Sequence, residues 1–114
     1  MDAAAEGAKS AGGVTVGILP DHIRMGASRF LDVSIPTGMG EMRNALVVRT
    51  ADVLIAVSGE YGTLSEIALA LKTGKTVIGL DTWDFNKAGY AGESLIRAKT
   101  PKEAVEMAKA AVTV

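Results

Sequence analysis

Apolar positions in this chain fall into short unbroken runs that alternate with stretches where they recur every three or four residues, which predicts strands alternating with helices. Residues 14–19, closed by Pro20, read as a strand, and Val33, Ser34 and Ile35 form a shorter one before Pro36. Residues 53–57 and 76–80 are aliphatic runs bounded by turn residues, the composition of strands buried in a parallel sheet. Residues 95–98 suit an edge strand. Helical spacing covers residues 2–11, residues 41–50 with Met42, Ala45, Leu46 and Val48 inward, and residues 63–72 with Leu64, Ile67, Ala68 and Leu71 on one stripe. Gly74 closes that last helix. Thr100, Pro101 and Glu103 open a final one, with Thr at the N-cap, Pro at the first position and Glu at the third.

Strands alternating with helices imply an α/β architecture with a parallel sheet, here a three-layer Rossmann-like fold. No repeat, linker or low-complexity tract interrupts it, so residues 1–114 are expected to form a single domain. Its opening is unusual. Helix 2–11, with small residues at Ala4, Gly7, Ala8 and Ala11, looks like a crossover helix pressed on a sheet, yet a crossover helix needs a strand before it. The pattern reads as the second half of a doubly wound domain.

Composition narrows the functions. Twelve basic against thirteen acidic residues give a net charge of −1, so no electrostatic footprint for nucleic acid is written here. The chain has no cysteine and one histidine, His22, which excludes disulfides and His/Cys metal sites. His22 reads as a loop side chain, and Met25, Met39 and Met42 as packing residues. With no long apolar run, neither a membrane span nor a signal peptide is indicated, and a cytoplasmic location is expected.

The segment richest in chemistry is Ser58-Gly59-Glu60-Tyr61-Gly62-Thr63-Leu64-Ser65-Glu66, between the strand at 53–57 and the helix at 63–72. A glycine-bearing turn from strand to helix aims backbone N–H groups, at the positive end of the helix dipole, above the sheet. That arrangement suits an anion, although glycines there also serve simply to make a tight turn. Thr63 suits either a cap or a phosphate donor. Glu66 suits sugar hydroxyls or a water, or a capping interaction with Thr63. Tyr61 in the loop and Trp83 in the loop at 81–92, beside Phe85 and Tyr90, suit either stacking on a heterocycle or covering the protein's own surface.

Together with Ile35-Pro36-Thr37-Gly38-Met39-Gly40-Glu41-Met42-Arg43-Asn44 and the helix continuing Ile67-Ala68-Leu69-Ala70-Leu71-Lys72, this segment resembles the lysine-decarboxylase-like Rossmann superfamily. That superfamily includes the LONELY GUY cytokinin-activating phosphoribohydrolases and the molybdenum cofactor carrier proteins. The resemblance is nearer to the carrier-like branch and covers residues 2–112. It implies a chain N-terminally truncated relative to the family, lacking a strand–helix–strand unit with its own glycine-rich loop. In the phosphoribohydrolase branch the signature is Pro-Gly-Gly-x-Gly-Thr-x-x-Glu, preceded by Arg-Lys. Gly59, Gly62, Thr63, Glu66 and Arg43 match it; Ser58 replaces the proline, Glu60 a glycine and Asn44 the lysine. An extra carboxylate at Glu60 opposes phosphate binding by like-charge repulsion unless it points outward.

The resemblance implies two functions. In the first, a small anionic ligand, a nucleotide or molybdopterin-type cofactor, is held by Ser58, Gly59, Gly62, Thr63 and Arg43 without chemistry, in a homo-oligomer (dimer or tetramer). In the second, the base–ribose bond of a nucleoside 5′-monophosphate is cleaved. Gly62 and Thr63 would then hold the phosphate and Arg43 would add a charge-assisted contact. Glu66 would stabilise the oxocarbenium-like transition state, with Glu41 as a second acid. The departures at Asn44 and Glu60 favour binding. For Arg43 the alternative is a surface salt bridge to Glu41 or Glu66. A structural remnant without a ligand is the third possibility.

Overall fold

A computed structural model describes residues 1–85 and 95–112. Its elements are α1 (Asp2–Ser10), β1 (Val16–Leu19), β2 (Val33–Pro36), a 3₁₀ turn (Gly40–Met42), α2 (Arg43–Thr50), β3 (Leu54–Val57), α3 (Tyr61–Lys72), β4 (Val77–Leu80), β5 (Leu95–Ala98) and α4 (Pro101–Val112). All strand pairing is parallel, in two sheets of order β1-β2 and β3-β4-β5. The α/β class with parallel strands is therefore as the alternation implies. The chain divides into two compact units, Met1–Leu46 and Val47–Val114.

In the first unit β1 and β2 run in register from Val16 opposite Val33 to Leu19 opposite Pro36. The start of the sheet is held by polar bonds. Asp32 accepts from the Thr15 backbone N–H at 2.7 Å and from Lys9 Nζ at 2.5 Å, and Thr15 Oγ1 donates to the Phe30 carbonyl. Gly17 lies so close to Leu31 that an added Cβ would stand 2.4 Å from Leu31 Cδ1. The small face of α1 is less covered than its composition suggested: Ala4, Gly7 and Ala11 are exposed, Ala8 is half-buried, and the buried residue of the helix is Ala5. Small side chains permit a close approach without enforcing one.

The second unit is a three-layer sandwich. Register places Leu54, Val77 and Leu95 across one face of the sheet, where they pack with Ile67 and Ala70 of α3 and Val48 of α2. Ile78 and Ala98 lie on the other face beneath Ala104 and Ala108 of α4. Val48, Ile67, Val77 and Ile78 are the largest side chains wholly buried among the described residues, each withdrawing its full apolar area from water. Within α3 the buried stripe is Ile67 and Ala70 with Leu71 half-buried, whereas Ala68, expected inward, is exposed. α3 ends as its Gly74 predicts: at φ +80 the Gly74 N–H donates to the Leu71 carbonyl, and the Lys75 N–H to Ala70. Thr100 Oγ1 accepts from the Glu103 N–H at 3.1 Å, which makes it the cap of α4. Among the described residues β5 ends the sheet, the place its sequence suggested.

Two further expectations are corrected. The helix expected over 41–50 opens as a 3₁₀ turn and becomes α-helical only at Arg43, which leaves Met42 exposed. Met25, Met39 and Met42 are all exposed and form no packed cluster. Tyr90 lies outside the described residues.

Candidate functional site

The carboxyl ends of β3 and β4 are adjacent, with Val57 opposite Leu80. Each strand is followed by a non-glycine residue in the left-handed region, Ser58 at φ +49 and Asp81 at φ +50. Non-glycine residues seldom hold that conformation, and it persists where surrounding bonds enforce it. Here the two turns are stitched together: the Ser58 N–H donates to the Leu80 carbonyl at 3.1 Å, and Thr82 Oγ1 donates to the Ser58 carbonyl at 2.6 Å.

Gly59 then takes φ +106, and an added Cβ would sit 2.3 Å from both Cβ and Oγ1 of Thr63. Only glycine fits, and the reason is the turn's own packing on the first turn of α3. This compact reversal starts the helix two residues earlier than its hydrophobic spacing indicates. Glu60, in extended conformation, is the N-cap, without a side-chain cap bond, and Tyr61, Gly62 and Thr63 occupy the first three helical positions. Thr63 is therefore not the cap. The first backbone bond of the helix runs from the Leu64 N–H to the Glu60 carbonyl at 3.0 Å. The N–H groups of residues 60–63 precede it, at the positive end of the dipole.

Trp83 lies against this helix start. Its Nε1–H donates to the Glu60 carbonyl at 3.1 Å, and its ring packs on the core beneath α3. Tyr61 stacks on it, ring centroids 6.1 Å apart and planes 25° from parallel. Arg97 of β5 fixes the loop from behind, donating to the carbonyls of Thr82 and Trp83 and to Asp84 Oδ1. Gly79 on β4 makes room for this clamp, since an added Cβ would stand 2.9 Å from Thr82 Cγ2. Neither the clamp nor the stitching by Thr82 was apparent in the sequence, because both join residues far apart along the chain.

Of the expected ligand contacts, Ser58, Gly59, Gly62 and Thr63 are thus brought together at the β3–α3 junction, with Glu66 half-buried one turn further along α3. Arg43 belongs to the first unit, at the start of α2. Its Nη1 donates to the Ile18 carbonyl at 2.9 Å and its Nε to Asn44 Oδ1 at 3.1 Å. Glu41 is exposed in the preceding 3₁₀ turn, and His22 is an exposed loop side chain, as read from the sequence. Among the described residues no three His, Cys, Asp or Glu side chains are grouped to hold a metal, and no helix is long and apolar enough to cross a membrane.

The donor set suits an anionic group. It consists of first-turn backbone N–H groups together with the hydroxyl-bearing Ser58 and Thr63; the carboxylates of Glu60 and Asp81 beside it are exposed to water, which screens their repulsion, and Glu66 is half-buried one turn further along α3.

Comparison with known proteins agrees on one group. The profile of the SLOG cluster4 family matches residues 1–105. An uncharacterised protein of Archaeoglobus fulgidus is 46% identical over 105 residues, a match spanning 92% of this chain and 65% of that protein. The molybdenum cofactor binding protein of the phototrophic bacterium Rippkaea orientalis superposes with a TM-score of 0.88 at 39% identity, over 99% of this chain and 71% of its own. A structure of the molybdenum cofactor carrier protein of Chlamydomonas reinhardtii does so with a TM-score of 0.77 at 32% identity, over 96% and 68%. The chain thus spans about two thirds of the length of the relatives it matches.

Proposed function

This chain belongs to the SLOG cluster4 family, within the Rossmann superfamily that includes the molybdenum cofactor carriers, and on that premise we propose that it binds a nucleotide or a phosphorylated, molybdopterin-type cofactor without transforming it. The anionic group sits at the Gly62–Thr63 start of α3, with Ser58 and Gly59 shaping the turn beneath it. The observation that carries this reading is the β3–α3 reversal itself. Ser58 and Gly59 both hold positive φ, and stitching to β4 fixes them there. The donors at the helix start are therefore oriented before a ligand arrives, so little ordering entropy opposes binding.

An anion at a helix N-terminus gains about 0.3–1 kcal/mol from the dipole alone, so backbone hydrogen bonds and the rest of the ligand supply most of the affinity. Arg43 remains a proposed anion contact in its own right, and homo-oligomerisation remains part of the proposal. The solved relatives, described as molybdenum cofactor binding and carrier proteins, supply the ligand class. The competing hydrolase reading rests on Glu66, half-buried on α3. Asn44 and Glu60, where the hydrolase signature has lysine and glycine, weigh against it.

The test is native mass spectrometry of the chain purified without added ligand and then titrated with adenosine monophosphate, with free adenine assayed in parallel. Bound nucleotide or pterin mass on a defined oligomer, with no adenine released, is the expected result. Release of adenine that disappears in Glu66→Ala would replace binding by hydrolysis. A chain that takes up neither nucleotide nor inorganic phosphate would remove the anion site.

A further inference from the structure

We propose that Tyr61 and Trp83 form a stacking platform for a planar heterocycle, which makes the base or pterin end of the ligand, and not only its phosphate, a determinant of recognition. The inference rests on the anion-binding reading above and deepens it. Tyr61 is the first residue of α3, and the residue is 80% exposed although its ring stacks beside that of Trp83. The exposed ring offers a flat aromatic surface on which a planar heterocycle can stack.

The platform is rigid from below. Trp83 is tied to the Glu60 carbonyl through Nε1, packed on the core and gripped at its own carbonyl by Arg97. Tyr61 has only two side-chain torsions to fix, and its ring stacks beside the anchored Trp83. Stacking a flat ring on it therefore costs little conformational entropy. The ring's position in the chain adds the chemistry. Gly62 and Thr63, the proposed phosphate contacts, are its immediate successors on the first turn of α3, so one ligand would meet both features. Its class is a planar, π-rich heterocycle joined through a short linker to an anionic group, which describes a purine nucleotide and a phosphorylated pterin alike.

Trp83 is the only tryptophan in the chain, so its emission reports on this site alone. The experiment measures binding of guanosine monophosphate and of ribose 5-phosphate to the intact chain, by calorimetry and by Trp83 emission. The two probes carry the same phosphate, and only one has a planar ring. The expected result is about tenfold tighter binding of the nucleotide, as a single base–aromatic stack provides, with a change of Trp83 emission for the nucleotide alone. Tyr61→Ala should abolish the difference between the two probes, and Tyr61→Phe should retain it. Substitution at so exposed a side chain leaves the fold intact, which the far-UV circular dichroism and thermal unfolding of each variant verify. Equal binding of both probes to the native chain, or a difference that persists in Tyr61→Ala, overturns the platform and leaves the anion site standing. Binding of neither probe overturns both.

Discussion

The two units of this chain use the same strand-and-helix vocabulary but are held together by different forces. In Val47–Val114 the sheet is covered on both faces, by α3 and α2 on one side and α4 on the other, and among the described residues Val48, Ile67, Val77 and Ile78 are completely withdrawn from water. In Met1–Leu46 the buried apolar residues are Ala5 and Leu19, whereas Val14, Val16, Val33 and Ile35 are exposed. What ties that unit together is polar: Asp32 bridging Lys9 and the Thr15 backbone, Thr37 Oγ1 donating to the Leu19 carbonyl, and Arg43 donating to the Ile18 carbonyl. Burial of apolar area contributes more to stability than exposed hydrogen bonds, each of which replaces a bond to water. The site proposed for the ligand lies in the unit with the two-sided core, where a strained turn can be tolerated.

The strongest way to break this contrast is to hollow the second unit. Ile78→Ala should destabilise it by about 2–5 kcal/mol, since the side chain is wholly buried between β4 and α4. Urea unfolding followed by Trp83 emission checks it. Gly59→Ala should cost about 1–3 kcal/mol, from both the unfavourable φ and the collision with Thr63, and should lower affinity for inorganic phosphate more than Ile78→Ala does. Calorimetric titration of both variants with phosphate separates a lost site from a weakened fold.

Lys75→Met tests a polar bond inside the apolar unit. Lys75 Nζ donates to the carbonyls of Val48 and Ala51, both at 2.5 Å, and to Arg49 at 3.0 Å, and so caps the end of α2. Losing that cap should cost about 1–3 kcal/mol and speed amide exchange at the last turn of α2 before that of β4.

The smallest effect sharpens the first unit. Hydrogen bonds from Lys9, first, and then from the Thr15 N–H hold the Asp32 carboxyl at about 2, below its ordinary value of 3.8. Because the folded value is the lower one, the carboxylate contributes stability that is complete above the unfolded value and fades as pH falls toward 2. Amide signals of β1 should therefore weaken in acid before those of β4, and Asp32→Asn should remove this pH dependence while lowering stability at neutral pH. NMR exchange measurements at a series of pH values check both.

The strands were readable because each is a short aliphatic run, and residues 53–57 and 76–80 were placed to within one residue at each end. The helix starts were less so. α3 begins at Tyr61, not Thr63, because the position of a cap depends on where the preceding backbone turns, and Ser58 at positive φ gives no compositional signal. Ala68 and Met42 were assigned to the interior because apolar spacing marks every face a helix has available for burial, whereas the neighbouring layers decide which face is used. The glycine-bearing turn between β3 and α3, by contrast, was legible, since glycine at positive φ is a local requirement.

By itself the sequence determined the α/β class, the parallel strands, the caps and stops at Thr100 and Gly74, and the glycine-bearing turn between β3 and α3. These are decided by periodicity and by backbone chemistry within a few residues. Only the tertiary structure decided that Gly59 is required by Thr63, that Thr82 stitches the two strand ends, and that Arg97 and the Glu60 carbonyl hold Trp83 beneath Tyr61. Those contacts join residues up to 24 positions apart, and sequence spacing carries no record of which distant side chains the folded backbone brings within bonding reach.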